Sequence, residues 1–185
     1  MRVIAGSARG RRLKSPRTRA PGHATLRPSS DLMRGAIFSS LDAHGADMSR
    51  VLDLYAGSGA LGIEALSRGA AWCDFVERDR SACELIRENL RLTGFESQAR
   101  VHQLSAERAL DALADPYPLI LADPPYDDRA ALGVLATLGR SPLVEKGRTT
   151  LVVEHSARNE PPQEVGALLL ANSRRHGDTA VSIYR

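Results

Sequence analysis

Two stretches of this 185-residue chain carry residue types spaced for chemistry. The first, Val51-Leu52-Asp53-Leu54-Tyr55-Ala56-Gly57-Ser58-Gly59-Ala60-Leu61-Gly62, is an apolar run with one acid in it that ends on closely spaced glycines. A turn with so few side chains lets a nucleotide-like ligand approach the backbone, where its N–H groups and the start of the following helix face it. The second is Asp123-Pro124-Pro125-Tyr126, placed after the apolar run Leu119 to Ala122. Two consecutive prolines stiffen a loop and lack N–H donors, so an acid and the Pro124 carbonyl project as two acceptors while Tyr126 offers a flat face for stacking. Such a set suits a planar base with an exocyclic amino group. The competing reading is a strand-ending turn with an incidental acid.

The spacing Gly57-x-Gly59-x-x-Gly62 also matches the dinucleotide fingerprint, and Glu77 lies where that motif wants a ribose-binding acid. Taken alone this favours an NAD-dependent oxidoreductase. Asp53 four residues ahead of the first glycine, the Asp123 motif and a chain too short for a separate substrate domain weigh against it, and no hydride-transfer acid is recognisable. Glu77 ends the run Trp72 to Val76, where a carboxylate can accept hydrogen bonds from both hydroxyls of a ribose.

These groups need a scaffold that brings distant strand ends together. From residue 51 the pattern alternates strand and helix: Val51–Tyr55, a helix from Ala60, Trp72–Glu77, a helix from Asp79 to Leu92, Arg100–Leu104, a short helix from Ser105, Leu119–Asp123, a helix at Ala130–Leu138, and Thr149–His155. Two closing strands, Val165–Leu170 and Thr179–Tyr184, read as an antiparallel edge hairpin. This alternation predicts an α/β fold with a mostly parallel sheet and helices on both faces, whose ligands sit beyond the C-terminal ends of the strands. Ahead of it, Ser29 or Ser30 is placed to cap a helix through Leu41 with Leu32, Ala36, Ile37 and Leu41 on one apolar face. Arg34 falls off that stripe, where it either joins Arg27 at the mouth of the site or sits on a solvated face.

Charge is distributed unevenly. Residues 1–50 hold ten Lys and Arg against three Asp, and the remainder holds fifteen against nineteen Asp and Glu. A cationic arm beside a mildly acidic body suggests a polyanion held by the arm and chemistry done by the body. Residues 1–14 read as a small hairpin carrying Arg9, Arg11, Arg12 and Lys14, followed by a Pro/Gly/Ser/Arg-rich linker, so the expected division is 1–29 for a basic RNA-binding extension and 30–185 for the catalytic domain. The competing reading of the hairpin is a charged edge that resists aggregation. No apolar run is long enough to span a membrane, no signal-type apolar segment follows the basic start, and Cys73 and Cys83 lack metal-type spacing. The expectation is a cytoplasmic, soluble protein with reduced thiols and no metal.

The Asp-x-Tyr-Ala-Gly-Ser-Gly turn, strand-end Glu77 and Asp-Pro-Pro-Tyr resemble a class I S-adenosylmethionine-dependent amino-methyltransferase. Val3-Ile4-Ala5-Gly6, Arg9-Gly10-Arg11-Arg12-Leu13 and Leu26-Arg27-Pro28-Ser29-Ser30-Asp31, with Arg34 and Phe38, narrow the resemblance to the RsmD-type 16S ribosomal RNA guanine-N2 methyltransferases over nearly the whole chain. Gly35-Ala36 stands where that family leads us to expect Glu-Thr, and Ala5-Gly6 where Gly-Gly is common. The resemblance implies a Rossmann-like seven-stranded sheet, S-adenosylmethionine as cofactor, and methylation of one guanine N2 of 16S rRNA within a 30S subunit or assembly intermediate, by a monomer. It further implies that Asp53, Tyr55 and the Gly57–Gly59 turn hold the methionine end, Glu77 the ribose, Arg78 and Ala106 the adenine, and Asp123 and the Pro124 carbonyl the amine, with Tyr126 stacked on the base. Other acceptors stay open at this point: adenine N6 or cytosine N4 of DNA, a protein glutamine, or a non-catalytic RNA-binding role.

Overall fold

The computed structural model describes residues 1–15, 28–125 and 129–185; side chains are described from residue 31 in the first helix and from residue 131 in the fifth. Arg27 and Tyr126, to which the sequence assigns phosphate and base contacts, lie outside the described residues. Chain order is α1 (Pro28–Ala43), β1 (Arg50–Leu54), α2 (Ala60–Ser67), β2 (Trp72–Glu77), α3 (Arg80–Thr93), a 3-10 turn, β3 (Ala99–Gln103), α4 (Ala106–Ala112), β4 (Leu119–Ala122), α5 (Arg129–Leu138), β5 (Thr150–Ser156), β6 (Glu164–Val165), β7 (Leu168–His176) and β8 (Thr179–Tyr184).

The strands form one sheet in the order β3-β2-β1-β4-β5-β8-β7-β6. β1 to β5 are mutually parallel, while β8 runs antiparallel to β5 and β7. The sheet direction of growth reverses between β1 and β4, and that is where an open α/β sheet leaves a crevice. Alternate residues of each strand feed two cores. Val51, Leu119 and Leu121 pack on one face with Phe38, Ile63, Phe75 and Ile86. Leu52, Leu54 and Ile120 pack on the other with Tyr117, Leu135 and Leu138. Burial on both faces explains why these strands read as continuous apolar runs.

Three expectations need correction. The sheet has eight strands rather than seven, because Gly166 at φ 60 turns the chain and splits off the two-residue β6. The closing hairpin is longer than expected: β7 continues through His176 and turns at Gly177, φ 63, because its polar residues 172–176 lie on a solvated strand still paired with β8. Helix α1 begins at Pro28, a residue suited to a first helical position, and buries Met33, Ile37, Phe38 and Leu41, whereas Leu32 is 78% exposed.

The N-terminal hairpin is tied together by one antiparallel bridge, Arg2 to Arg12, and by Val3 N donating to Arg11 O at 3.0 Å. Val3, Ala8 and Leu13 are buried in the same core as β1 and α2. Its backbone is clasped by two buried polar residues of α2. Glu64 accepts from Ile4 N at 2.8 Å and Ala5 N at 3.0 Å, and Ser67 Oγ accepts from Ala8 N at 3.0 Å while donating to Ala5 O. Gly6 is required there: at φ +81 an added Cβ would lie 1.7 Å from Ser67 O.

Candidate active site

Register alone assembles the site. Leu54 pairs with Val76 on one side and Ala122 on the other, and Ala122 pairs with Val153. The next residue of each strand is Tyr55, Glu77, Asp123 or Glu154, so four side chains emerge at one edge of the sheet. Tyr55 has φ 60, the one positive value at a non-glycine among the described residues, and it marks a backbone forced to bend as β1 enters the turn. The cleft above the switch point is lined by Met1, Arg34, Asp53, Tyr55, Gly57, Ser58, Ala60, Leu61, Asp123 and Glu154, among others. Glu77, Arg78 and Ala106 stand at the neighbouring ends of β2 and β3, outside this lining; Arg78 is exposed and Ala106 is 5% exposed.

The glycine turn is held rigidly. Gly57 N donates to Glu77 Oε2 at 2.9 Å, Gly59 N to Ala56 O at 2.7 Å, and Gly62 N to Asp53 Oδ2 at 2.9 Å. Glu77 Oε1 accepts from Asp79 N at 2.8 Å, which fixes the carboxylate across the β2 end. Among the described residues, this leaves the N–H groups of Ser58, Ala60 and Leu61, rather than those of the glycines, to face a ligand at the head of α2. Gly62 serves packing, since a Cβ there would lie 2.4 Å from Phe75 and 2.7 Å from Cys73 Sγ.

Electrostatics in the cleft favour a cation. Burial pushes Asp53 up to about 8; the Gly62 N–H opposes this and the Glu77 charge adds to it. Asp123 opens to the cleft and counts as exposed. The protein packed around its carboxyl, then the charges of Glu154 and Asp53, nevertheless raise its pKa well above the carboxylate range. Desolvation and then the crowding of like charges set that direction, and water on the open side moderates its size. The one basic side chain among the described lining residues, Arg34, is engaged elsewhere: Nη2 donates to Asp31 at 2.7 Å and to Arg2 O at 2.7 Å, and Nε lies 3.7 Å from Glu64. A pyrophosphate would enter a cleft with three acids and a committed base. A cationic ligand with a carboxylate for the turn fits the donor set, as S-adenosylmethionine would. Among the described residues no cluster of three or more His, Cys, Asp or Glu is arranged to hold a metal, and no helix is long and apolar enough to cross a membrane.

Arg34 is 4% exposed, so it braces the cleft wall and neither sits on a solvated face nor offers an open surface to phosphate. Arg9, Arg11, Arg12 and Lys14 are exposed, although Arg11 Nη1 donates to Leu92 O at 2.9 Å and Lys14 pairs with Glu88. Sequence reasoning missed Glu154, which the same strand-end logic applied to Thr149–His155 would have found. It also missed Glu64 and Asn89, polar residues on otherwise apolar helix stripes.

The chain matches, over residues 1–185, a family described as conserved hypothetical protein 95. It is 38% identical over 188 residues to a Bacillus subtilis protein, YlbH, which carries a provisional rRNA methyltransferase name, covering 100% of this chain and 98% of the relative. It is 39% identical over 126 residues to the Escherichia coli ribosomal RNA small subunit methyltransferase D, where the match spans 68% of this chain and 60% of the relative. An Escherichia coli structure described provisionally as a methyltransferase superposes with a TM-score of 0.83 at 31% identity, covering 100% of this chain and 96% of that one.

Proposed function

Because the chain belongs to the family described as conserved hypothetical protein 95, whose members and neighbours carry methyltransferase names, we propose that it methylates the exocyclic N2 of a guanine in 16S rRNA. The substrate on this reading is a 30S subunit or assembly intermediate, and the enzyme a cytoplasmic monomer using S-adenosylmethionine. The observation that carries the reading is the meeting of a glycine turn, pinned by Glu77, with Asp53, Asp123 and Glu154 in one acid-lined crevice at adjacent strand ends.

When bound, S-adenosylmethionine supplies an electrophilic methyl group on a positively charged sulfur. Asp53 and the free N–H groups of Ser58, Ala60 and Leu61 hold its methionine end, and Glu77 accepts from its ribose. Arg78 and Ala106 border the adenine. The lone pair of guanine N2 is delocalised into its ring, so this nitrogen attacks only when oriented. Asp123 and the Pro124 carbonyl accept its two hydrogens and turn the lone pair toward the methyl carbon, and the charge of Asp123 favours the positive charge that develops on nitrogen. Methyl transfer would leave the donor sulfur neutral and the amine with one proton too many, for which Asp123, its proton affinity raised by its surroundings, would be the acceptor. A paired guanine hides N2 in the stack, so the base must be unpaired or flipped, with Tyr126 as its platform. Arg9, Arg11, Arg12, Lys14 and Arg27 hold flanking phosphates on this reading, and Arg34 braces the cleft wall.

Transfer of labelled methyl groups to undermethylated 30S subunits, naked 16S rRNA and duplex DNA tests this, with the modified base identified in each. Label at guanine N2 of rRNA, strongest on subunits, is expected. Preferential labelling of DNA, or of another base, would replace the guanine reading with a different amino acceptor.

A further inference from the structure

Asn89 lies on the buried face of α3, between Ile86 and Leu90, and is 0% exposed. A carboxamide there is costly unless every polar atom is matched. Its Oδ1 accepts from Lys14 N at 2.8 Å, and its Nδ2 donates to Lys14 O at 3.0 Å and to Ser58 O at 2.9 Å. Toward Lys14 it therefore acts as a strand partner, binding both backbone groups of one residue. With its remaining hydrogen it grips the carbonyl between Gly57 and Gly59, which have φ 54 and 76.

The Ser58 carbonyl and the Gly59 N–H belong to one planar peptide unit. Its nitrogen end is held by Ala56 O and its oxygen end by Asn89. Without the second hold, rotation of this peptide about ψ of Ser58 and φ of Gly59 is opposed by the Ala56 contact alone, and Gly59 has little steric preference of its own. Rotation that the adjacent torsions do not cancel would shift the neighbouring peptides and with them the Ser58 and Ala60 N–H groups. The amide of Asn89 is in turn oriented by Lys14, the end of the basic hairpin.

We infer that Asn89 is a positioning residue that locks the donor-binding turn to the basic arm, so that RNA held by the arm and donor held by the turn strengthen each other. The inference rests on the donor and RNA assignments made above. Such coupling is reciprocal: whatever the arm's engagement adds to donor affinity, donor adds to RNA affinity.

The test uses the full-length chain and labelled S-adenosylhomocysteine, which binds without turnover, in equilibrium dialysis with and without undermethylated 30S subunits. Asn89→Ala and the near-isosteric Asn89→Asp, which presents an acceptor to two carbonyls, should each weaken binding about tenfold. Subunits should tighten binding several-fold in the wild type and not at all in either variant. Lys14→Pro removes the N–H that Asn89 accepts and should reproduce both losses. Lys14→Pro combined with Asn89→Ala should be no worse than Asn89→Ala alone, because the two act through one linkage. Binding within twofold of wild type for Asn89→Asp, an unaffected Lys14→Pro, or strictly additive losses would overturn the inference. Hydrogen exchange of the Gly59 amide in the free protein provides an arm that needs no ligand. It should quicken about tenfold in both Asn89→Ala and Lys14→Pro, and unchanged exchange in a folded Lys14→Pro would also overturn the link. If the wild-type chain binds no S-adenosylhomocysteine, the donor assignment fails while the exchange result still decides the lock.

Discussion

Asp53 and Asp74 sit on adjacent strands, one residue apart in register and on opposite faces of the sheet, and both are buried to within 3% exposure. Their environments push them in opposite directions. Burial raises Asp74, but hydrogen bonds from His102, Tyr117 and Trp72 outweigh it and hold its carboxyl below the usual range. His102 Nε2 donates at 2.8 Å, Tyr117 OH at 2.8 Å and Trp72 Nε1 at 3.0 Å, with Arg50 at 3.5 Å completing the shell. Asp53 has the Gly62 N–H, and burial carries it up to about 8. A carboxylate that serves the fold is given its donors by the fold. On the proposed function Asp53 serves a ligand, is left short of donors by the fold, and takes the cation that restores the balance from outside.

The contrast can be broken most forcefully at the cleft. Asp123→Ala should lower methyl transfer by about a thousandfold or more while leaving donor affinity within several-fold and the melting temperature near wild type, because the acid acts on the acceptor. Wild-type turnover in that variant would remove its role. Asp74→Ala should do the opposite, costing about 3 kcal/mol of stability as His102, Trp72, Tyr117 and Arg50 lose their acceptor, with donor affinity per folded molecule unchanged. A loss of donor affinity without a loss of stability would make the two acids alike.

Asp53→Asn sharpens the contrast because its two effects differ in sign. Donor affinity should fall about tenfold, while the ligand-free protein gains on the order of 1–3 kcal/mol near neutral pH, where the folded state otherwise must keep a proton that the unfolded state has released. The pH profile follows. A pKa raised from 3.8 to about 8 means that the folded state keeps a proton the unfolded state has released, so ligand-free stability declines as pH rises between those values. Chemical denaturation across that window should show the decline in wild type and a shallower one in Asp53→Asn. For Asp74 the sign is reversed: its contribution is present above the unfolded value of 3.8 and is lost as pH falls through its lower folded value. The smallest effect belongs to the arm. Arg9, Arg11 and Arg12 changed together to Ala should weaken RNA binding roughly tenfold at moderate salt and flatten its salt dependence, with donor binding to the free protein unchanged. Equal RNA affinity at all salt concentrations would return these residues to the role of a charged edge.

The parallel sheet, the glycine turn, Glu77 and Asp123 were legible because buried parallel strands leave unbroken apolar runs, and because an acid or a glycine at the end of such a run has no other local reason to be there. Glu154 follows the same rule but ends a strand whose tail carries mixed residues, His155 and Ser156, which blur the boundary. Arg34 and Glu64 were opaque for a different reason. Each is a charged residue on a helix, which periodicity assigns to solvent, and only the docking of the N-terminal hairpin buries them together with Arg2 O, Ile4 N and Ala5 N as partners. Contacts across some sixty residues leave no trace in local pattern. The same holds for Asn89, whose partners Lys14 and Ser58 come from two different segments.

The central claim, that the acid-lined crevice directs a methyl group onto guanine N2 of small-subunit rRNA, is tested most directly by mass-spectrometric mapping of 16S rRNA from cells lacking this protein. One guanine should lose a single N2 methyl group in those cells, regain it with the wild-type chain and remain unmodified with Asp123→Ala. An unchanged modification map, or restoration by Asp123→Ala, would contradict the account.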